Sequence, residues 1–245
     1  MCGITGFIST NNLTQHEAKT VINNMASTLS HRGPDDTGYW SNESDQVALG
    51  HKRLAIIDLT TSGHQPMISK SGRYIIVFNG EIYNHIELRQ EYFKGYRWEG
   101  TSDTETLLAT FEKWGIEGSL EFLTGMFSFG VWDRDKESLN LVRDRFGEKP
   151  LFYYKGKEGI VFASELKAIK SLLESNLKVN PDSLEIFLSL SYIPSPLSIY
   201  KNVFKLEPGH IIKFSTSHDQ FSKPYWSLEE QYFAAKQNIF EGSDD

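Results

Sequence analysis

The chain of 245 residues holds a single cysteine, Cys2. One thiol closes no intrachain disulfide and builds no thiolate-rich metal site, so an oxidising compartment is not indicated. The seven histidines are scattered, and neither H-E-x-x-H nor C-x-x-C occurs, which argues against a metal centre. The phosphate-cradling patterns G-x-x-x-x-G-K-[ST] and G-x-G-x-x-G are missing too. Lys and Arg number 25 against 32 Asp and Glu, a formal net charge of −7. That balance, with no basic run, argues against a nucleic-acid partner. No apolar run approaches the roughly 18 residues that span a bilayer. The first residues also lack a basic n-region and a continuous apolar stretch. A soluble cytoplasmic protein with no membrane segment is the expectation.

What is present suits one large globular domain or two small ones. Apolar residues make up 39% and aromatics 13%, enough to supply a core. Residues 3–9 (GITGFIS) read as a strand. Thr14 to Glu17 form a capping-box pattern, followed by Ala18, Val21, Ile22, Met25 and Leu29 at helical spacing. Residues 31–38 (HRGPDDTG) read as a loop, and 46–50, 53–57 and 73–78 as strands, the last ending at the turn-forming pair Asn79-Gly80. Helices are expected over 82–93 and from Thr101–Asp103 to Gly115. Strands are expected at 126–132, 139–144, 151–154 and 160–163, helices near 165–173 and 181–190, and a last strand at 210–214. Several strand connections are too short for parallel crossovers, so the pattern implies antiparallel sheets covered by helices, an α+β layered sandwich.

The position of the one thiol is informative. If Met1 is removed, Cys2 carries a thiol and a free α-amine on one residue, with reference pKa values of about 8.5 and about 8. The amine can take the thiol proton and later return it to a leaving group, with no catalytic His or Asp. A thiolate attacking an amide carbonyl builds an oxyanion that needs preorganised donors. Asn79-Gly80 would offer a side-chain amide N–H beside a backbone N–H. A free amino-acid substrate would also need a partner for its carboxylate and one for its ammonium. Arg53 opens an otherwise apolar run (RLAIIDL), and Asp103 stands at a helix start. Taken singly, each residue has a plainer reading: a buried inert cysteine, a hairpin turn, a helix N-cap.

Together, MCGITGF, HRGPDDTG, GHKRLAIIDL, FNGEIYN, SDTETLL, RDRFGEKPLFY, SYIPSP, FKLEPGH and PYWSL cover roughly residues 2–226. They resemble the class II glutamine amidotransferase domain, and within that group the glutamine-hydrolysing asparagine synthetase family. The resemblance implies an N-terminal-nucleophile hydrolase fold, a four-layer αββα sandwich of two antiparallel sheets. It implies that Cys2 is the nucleophile and that Asn79 and Gly80 form the oxyanion hole. Arg53 would bind the carboxylate of L-glutamine and Asp103 its ammonium, with Leu54, Ala55, Ile56, Ile57 and Glu81 completing the pocket. Arg32 and Gly33 would lie in a loop near the nucleophile. Glutamine would give glutamate and ammonia through a γ-glutamyl thioester.

The family's Ser-Gly-Gly-x-Asp-Ser loop of the ATP-dependent synthetase domain does not occur. The expectation is therefore a glutaminase domain over 2–218, then a linker and truncated start of that second domain over 219–245, with a poorly anchored tail. This chain would hold no cofactor or metal. ATP and Mg would belong to the synthetase domain, where ammonia would meet aspartate. Relatives that amidate other carboxylates, including sugars of polysaccharide pathways, are an alternative, as is a non-catalytic remnant if Met1 is retained. The sequence leaves a homodimer open.

Overall fold

Thr14 caps a helix, as its pattern predicts. Its hydroxyl accepts from the Glu17 N–H at 3.3 Å, and the Glu17 carboxylate accepts from the Thr14 N–H at 2.8 Å. The helix, α1 (Gln15–Ser27), buries Ala18, Ile22, Met25 and Ala26. The computed structural model describes residues 1–44, 46–174, 176–215 and 220–237. The end of the expected tail, 238–245, lies outside the described residues.

Among the described residues twelve strands build two six-stranded sheets, and the strand pairings are antiparallel. The first sheet contains β1 (Gly3–Ser9), β2 (Asp36–Asn42), β3 (Val47–Arg53), β8 (Phe152–Gly156), β9 (Gly159–Ala163) and β10 (Val203–Lys205), in the order β10-β8-β9-β1-β3-β2. The second contains β4 (Met67–Ile68), β5 (Tyr74–Ile82), β6 (Gly125–Asp133), β7 (Ser138–Arg143), β11 (His210–Ser215) and β12 (Gln220–Pro224), in the order β12-β11-β7-β6-β5-β4. Residues 220–224, read from the sequence as linker, thus add an edge strand to the second sheet.

Ile4, Leu49 and Phe162 of one sheet meet Val77, Trp132, Leu141 and Ile212 of the other in a buried layer between the sheets. The outer face of the first sheet is covered by α1 and α4 (Leu166–Leu173), through Ile22, Met25, Ala168 and Ile169. The outer face of the second is covered by α2 (His85–Tyr92) and α3 (Asp103–Ser119), through Leu88, Leu107, Leu108 and Phe111. The result is the expected αββα sandwich. Two further helices, α5 (Pro181–Leu190) and α6 (Leu228–Gln237), follow in the chain. Among the described residues no helix is long and apolar enough to cross a membrane.

Local reading and structure part company in three places that matter for the site. The strands expected at 46–50 and 53–57 are one strand, β3, and its apolar continuation LAII leaves the sheet as a loop. Asn79-Gly80 is no turn, because β5 runs on to Ile82 and pairs Asn79 with Ser128 and Gly80 with Phe127. The cap of α3 is Ser102, whose hydroxyl accepts from the Glu105 N–H at 3.3 Å; Asp103 is left free for another task. Gly115, at φ 75°, breaks the helical path inside α3, as expected of a C-terminal glycine.

Candidate active site

The ladder of β1 starts at Gly3, opposite Lys52, so Cys2 lies just outside it. Two contacts fix the thiol: Cys2 Sγ–H donates to the Leu54 carbonyl at 3.6 Å, and the Leu54 N–H donates to Sγ at 3.4 Å. Arg32 Nε donates to the Cys2 carbonyl at 2.9 Å. The HRG loop comes this close because Gly33 has no side chain; a Cβ there would collide with the backbone of Lys52 and Arg53. Burial pushes the Cys2 thiol above its ordinary pKa, against the Leu54 hydrogen bond and the charges of the chain terminus and Arg53, which lower it.

One cavity joins most of the residues singled out in the sequence. Cys2, Arg53, Leu54, Ile56, Ile57, Asn79, Gly80, Glu81 and Asp103 all line it. Ala55 is not in the lining: its N–H donates to Asp35 Oδ2 at 2.9 Å and ties down the loop that carries its neighbours. The thiol sits just ahead of β1 in the first sheet and Asn79-Gly80 lie on β5 in the second, so the cavity opens where the two sheets meet.

Asn79 continues the alternation of Ile75 and Val77, which face the other sheet. It is 1% exposed, and neither Nδ2 nor Oδ1 has a hydrogen-bond partner among the described residues. Such a buried amide costs about 1–3 kcal/mol unless something completes it, and this one lines the same cavity as Cys2. Gly80 sits against β6, where a Cβ would collide with the Met126 carbonyl and the Phe127 backbone.

Arg53, 8% exposed, donates from Nη1 to the Thr60 carbonyl at 2.7 Å and from Nη2 to the Asp58 carbonyl. A guanidinium has five N–H donors, so these bonds orient it without exhausting it. The Asp103 carboxylate is 5% exposed and accepts from the Ile82 N–H at 2.9 Å. Burial pushes its pKa up to about 6, against hydrogen bonds from the Ile82 and Thr104 amides, and the Glu81 charge adds to the rise. The Arg53 guanidinium and the carboxylates of Glu81 and Asp103 thus line one cavity with the thiol.

Several supporting residues carry no recognisable local signal. Asp58 accepts from the Thr60 N–H and Oγ1, from Ser62 Oγ and from the Thr101 N–H, pinning the loop after β3 to the start of α3. Burial pushes the Asp58 carboxyl up, but hydrogen bonds from Thr60, Thr101 and Ser62 outweigh it and hold the group below its ordinary value. Gln65 accepts from the Phe78 N–H at 2.7 Å and donates to Thr104 Oγ1 at 3.2 Å, joining the same loop to β5 and α3. His51 is buried, and burial pushes its pKa down to about 4, so it is neutral at pH 7. With Nε2 carrying the proton, it donates to the Phe78 carbonyl at 3.1 Å, one residue before Asn79. Lys149 and Met126 also line the cavity. Only the oddity of His51 within an apolar strand could have drawn attention in the sequence.

Two antiparallel sheets between helical layers, with the chain's first residues at a cavity between the sheets, define an N-terminal-nucleophile amidotransferase fold. The solved structure of glutamine phosphoribosylpyrophosphate amidotransferase from B. subtilis, complexed with ADP and GMP, shares it. That structure superposes with a TM-score of 0.66 at 19% identity, over 93% of this chain and 50% of the other. The chain belongs to the glutamine amidotransferase domain family, whose match runs over residues 1–226. It is 39% identical, over 93% of its length, to a putative glutamine-hydrolysing asparagine synthetase 2 of Methanocaldococcus jannaschii. It is 37% identical, over 94% of its length, to the glutamine-hydrolysing asparagine synthetase 3 of Bacillus subtilis. It spans 47% and 37% of the lengths of those two relatives.

Proposed function

We propose that the cavity binds L-glutamine and hydrolyses it to glutamate and ammonia with Cys2 as nucleophile. The observation that carries this reading is the unpartnered amide of Asn79 lining one cavity with the Cys2 thiol. Arg53 takes the α-carboxylate and Asp103, with Glu81, the α-ammonium, so the carboxamide end of the substrate points to Sγ. With Met1 attached, the Cys2 nitrogen is an amide. Removal of Met1 frees an amine that accepts the thiol proton. Sγ attacks the δ-carbon of the carboxamide, and the oxyanion is met by Asn79 Nδ2–H and the Gly80 N–H. The C–N bond breaks and the amine's proton leaves with ammonia. Water then adds to the γ-glutamyl thioester, and its C–S bond breaks to give glutamate and the thiol.

In the longer relatives' arrangement, the ammonia would pass to an ATP- and Mg-dependent synthetase domain that makes asparagine. The glutaminase unit then runs through its edge strand β12, with α6 leading toward that domain. Exposed apolar side chains support a covering partner: Leu184, Phe187, Leu188 and Leu190 on α5, and Leu228, Tyr232 and Phe233 on α6.

The direct test is glutamate release from glutamine by a preparation whose N-terminus is fixed by intact-mass spectrometry. A chain starting at Cys2 should be active, and Cys2→Ala should lose all turnover. Residual activity in Cys2→Ala, or full activity in a chain that keeps Met1, would overturn the mechanism.

A further inference from the structure

We propose that Glu165 is a positioning residue for glutamine hydrolysis, acting on the nucleophile through Arg32. The inference rests on Cys2 being the nucleophile.

A nucleophile at a chain end has a physical problem, since terminal residues fray. The first laddered residue of β1 is Gly3, and Cys2 stands beyond it. Its carbonyl is held by Arg32 Nε at 2.9 Å. That bond fixes the peptide plane that follows Cys2, and so the directions of its thiol and its future amine. Arg32 can do this only if its own long side chain is immobile. Its side chain is 8% exposed, and Nη1 donates to Glu165 Oε1 at 3.0 Å.

Glu165 occupies the N-cap position of α4, where a side chain usually accepts from the first free amides of the helix. It makes no such cap bond. Its carboxylate turns instead toward the loop after α1. Oε1 takes Arg32 and His31 Nε2, the latter also at 3.0 Å, and Oε2 pairs with Lys167 Nζ at 3.1 Å. Three donors around one carboxylate, two of them the cations Arg32 and Lys167, are more than a cap requires. They outweigh burial, which alone would push the Glu165 pKa up, and leave it at about 2. The carboxylate therefore stays charged and a strong acceptor throughout the neutral range.

The base of this strut is rigid for a separate reason. Ser164 is bonded twice to β1: its Oγ accepts from the Ile4 N–H at 3.0 Å, and its N–H donates to the Ile4 carbonyl at 2.9 Å. Adjacent residues thus clamp the start of β1 at two points, Ser164 directly at Ile4 and Glu165 through Arg32 at Cys2. The clamp touches neither Arg53 nor Asp103. It should therefore govern the chemical step rather than glutamine binding.

The test compares Glu165→Ala, Glu165→Gln, Arg32→Ala and the double alanine variant, each shown by intact mass to start at Cys2. Glu165→Ala is expected to lower kcat by about tenfold to a hundredfold, the scale of a small misplacement of a reacting group, with KM for glutamine unchanged. The double variant should be no worse than Arg32→Ala, because the two residues act in series. Alkylation of Cys2 by iodoacetamide should change in rate in the same variants. Glu165→Gln keeps an acceptor without the charge and should lose at least about threefold in kcat, which keeps the test readable if Glu165→Ala does not fold. A kcat within twofold of the parent in both Glu165 variants, a rise in KM alone, or additive losses in the double variant would overturn the proposal. Failure of the underlying reading is separate, since it would appear as turnover in Cys2→Ala.

Discussion

Asp103 spends stability to be useful. Its carboxyl has an ordinary pKa of 3.8 and is raised by burial to about 6. Between those values the folded protein holds a proton that the unfolded chain has released, so stability falls as pH rises through the interval. Above about pH 6 the fold carries a buried charge that pairs with no cation among the described residues. Asp103→Asn should therefore stabilise the protein at pH 7, by at most about 3 kcal/mol, while raising KM for glutamine. In the parent, KM should climb as pH drops below about 6, when Asp103, the proposed partner of the ammonium, is neutralised. Thermal melts at pH 5 and 7 and the pH profile of KM check both statements; an unchanged KM in the asparagine variant at pH 7 would remove Asp103 from the pocket. At this scale the sequence was informative where a residue is odd in its own surroundings: a lone thiol behind Met1, an arginine in an apolar run. Asp58, Gln65 and Lys149 are ordinary in theirs, and nothing local announces that they line the same cavity.

Elements show how pairing overrides local preference. Asn-Gly is a strong hairpin signal, yet β5 continues through it because nine residues pair with β6, and a ladder of that length outweighs a turn preference. Gly80 is glycine here for space: a Cβ would meet the Met126 carbonyl. Gly80→Ala should push β5 off β6, costing about 1–3 kcal/mol, and should lower kcat at least tenfold by moving the proposed oxyanion donors. Denaturant melts and glutamate release read the two effects, and a variant as stable and active as the parent would refute the close-approach argument. β2 was read partly as loop because DTGYWSN has no clean alternation and it is an edge strand, half exposed. The break of β3 at Arg53 was equally invisible, since the apolar residues that follow look like more strand, and Leu54, Ile56 and Ile57 in fact wall the cavity.

In the whole molecule, the cavity exists only because one sheet lies against the other. Phe162, fully buried on β9, places its ring against Gly6 of β1 and Gly130 of β6, where any side chain would collide with it. This ring sets the sheet spacing near the centre of the sandwich. Phe162→Ala should cost about 3–5 kcal/mol, a melting-temperature drop of roughly ten degrees in a chain of this size. Activity should fall with it, since Cys2 and Asn79 come from different sheets. A calorimetric scan beside the kinetic assay checks this; an alanine variant melting within two degrees of the parent would assign the sheet spacing to other contacts.

The sequence by itself determined the elements and the chemistry available. Capping at Thr14, apolar periodicity and short connections act over a few residues, and so are written locally as an antiparallel α+β chain with a thiol near its start. Tertiary structure alone decided that Asn79-Gly80 shares a cavity with that thiol, that Ala55 lies outside the lining, and that Glu165 bonds Arg32. The physical reason is distance along the chain. The bonds that fix Cys2 and Arg32 join residues 52 and 133 positions apart, and such groups meet only after two sheets and two helical layers have packed.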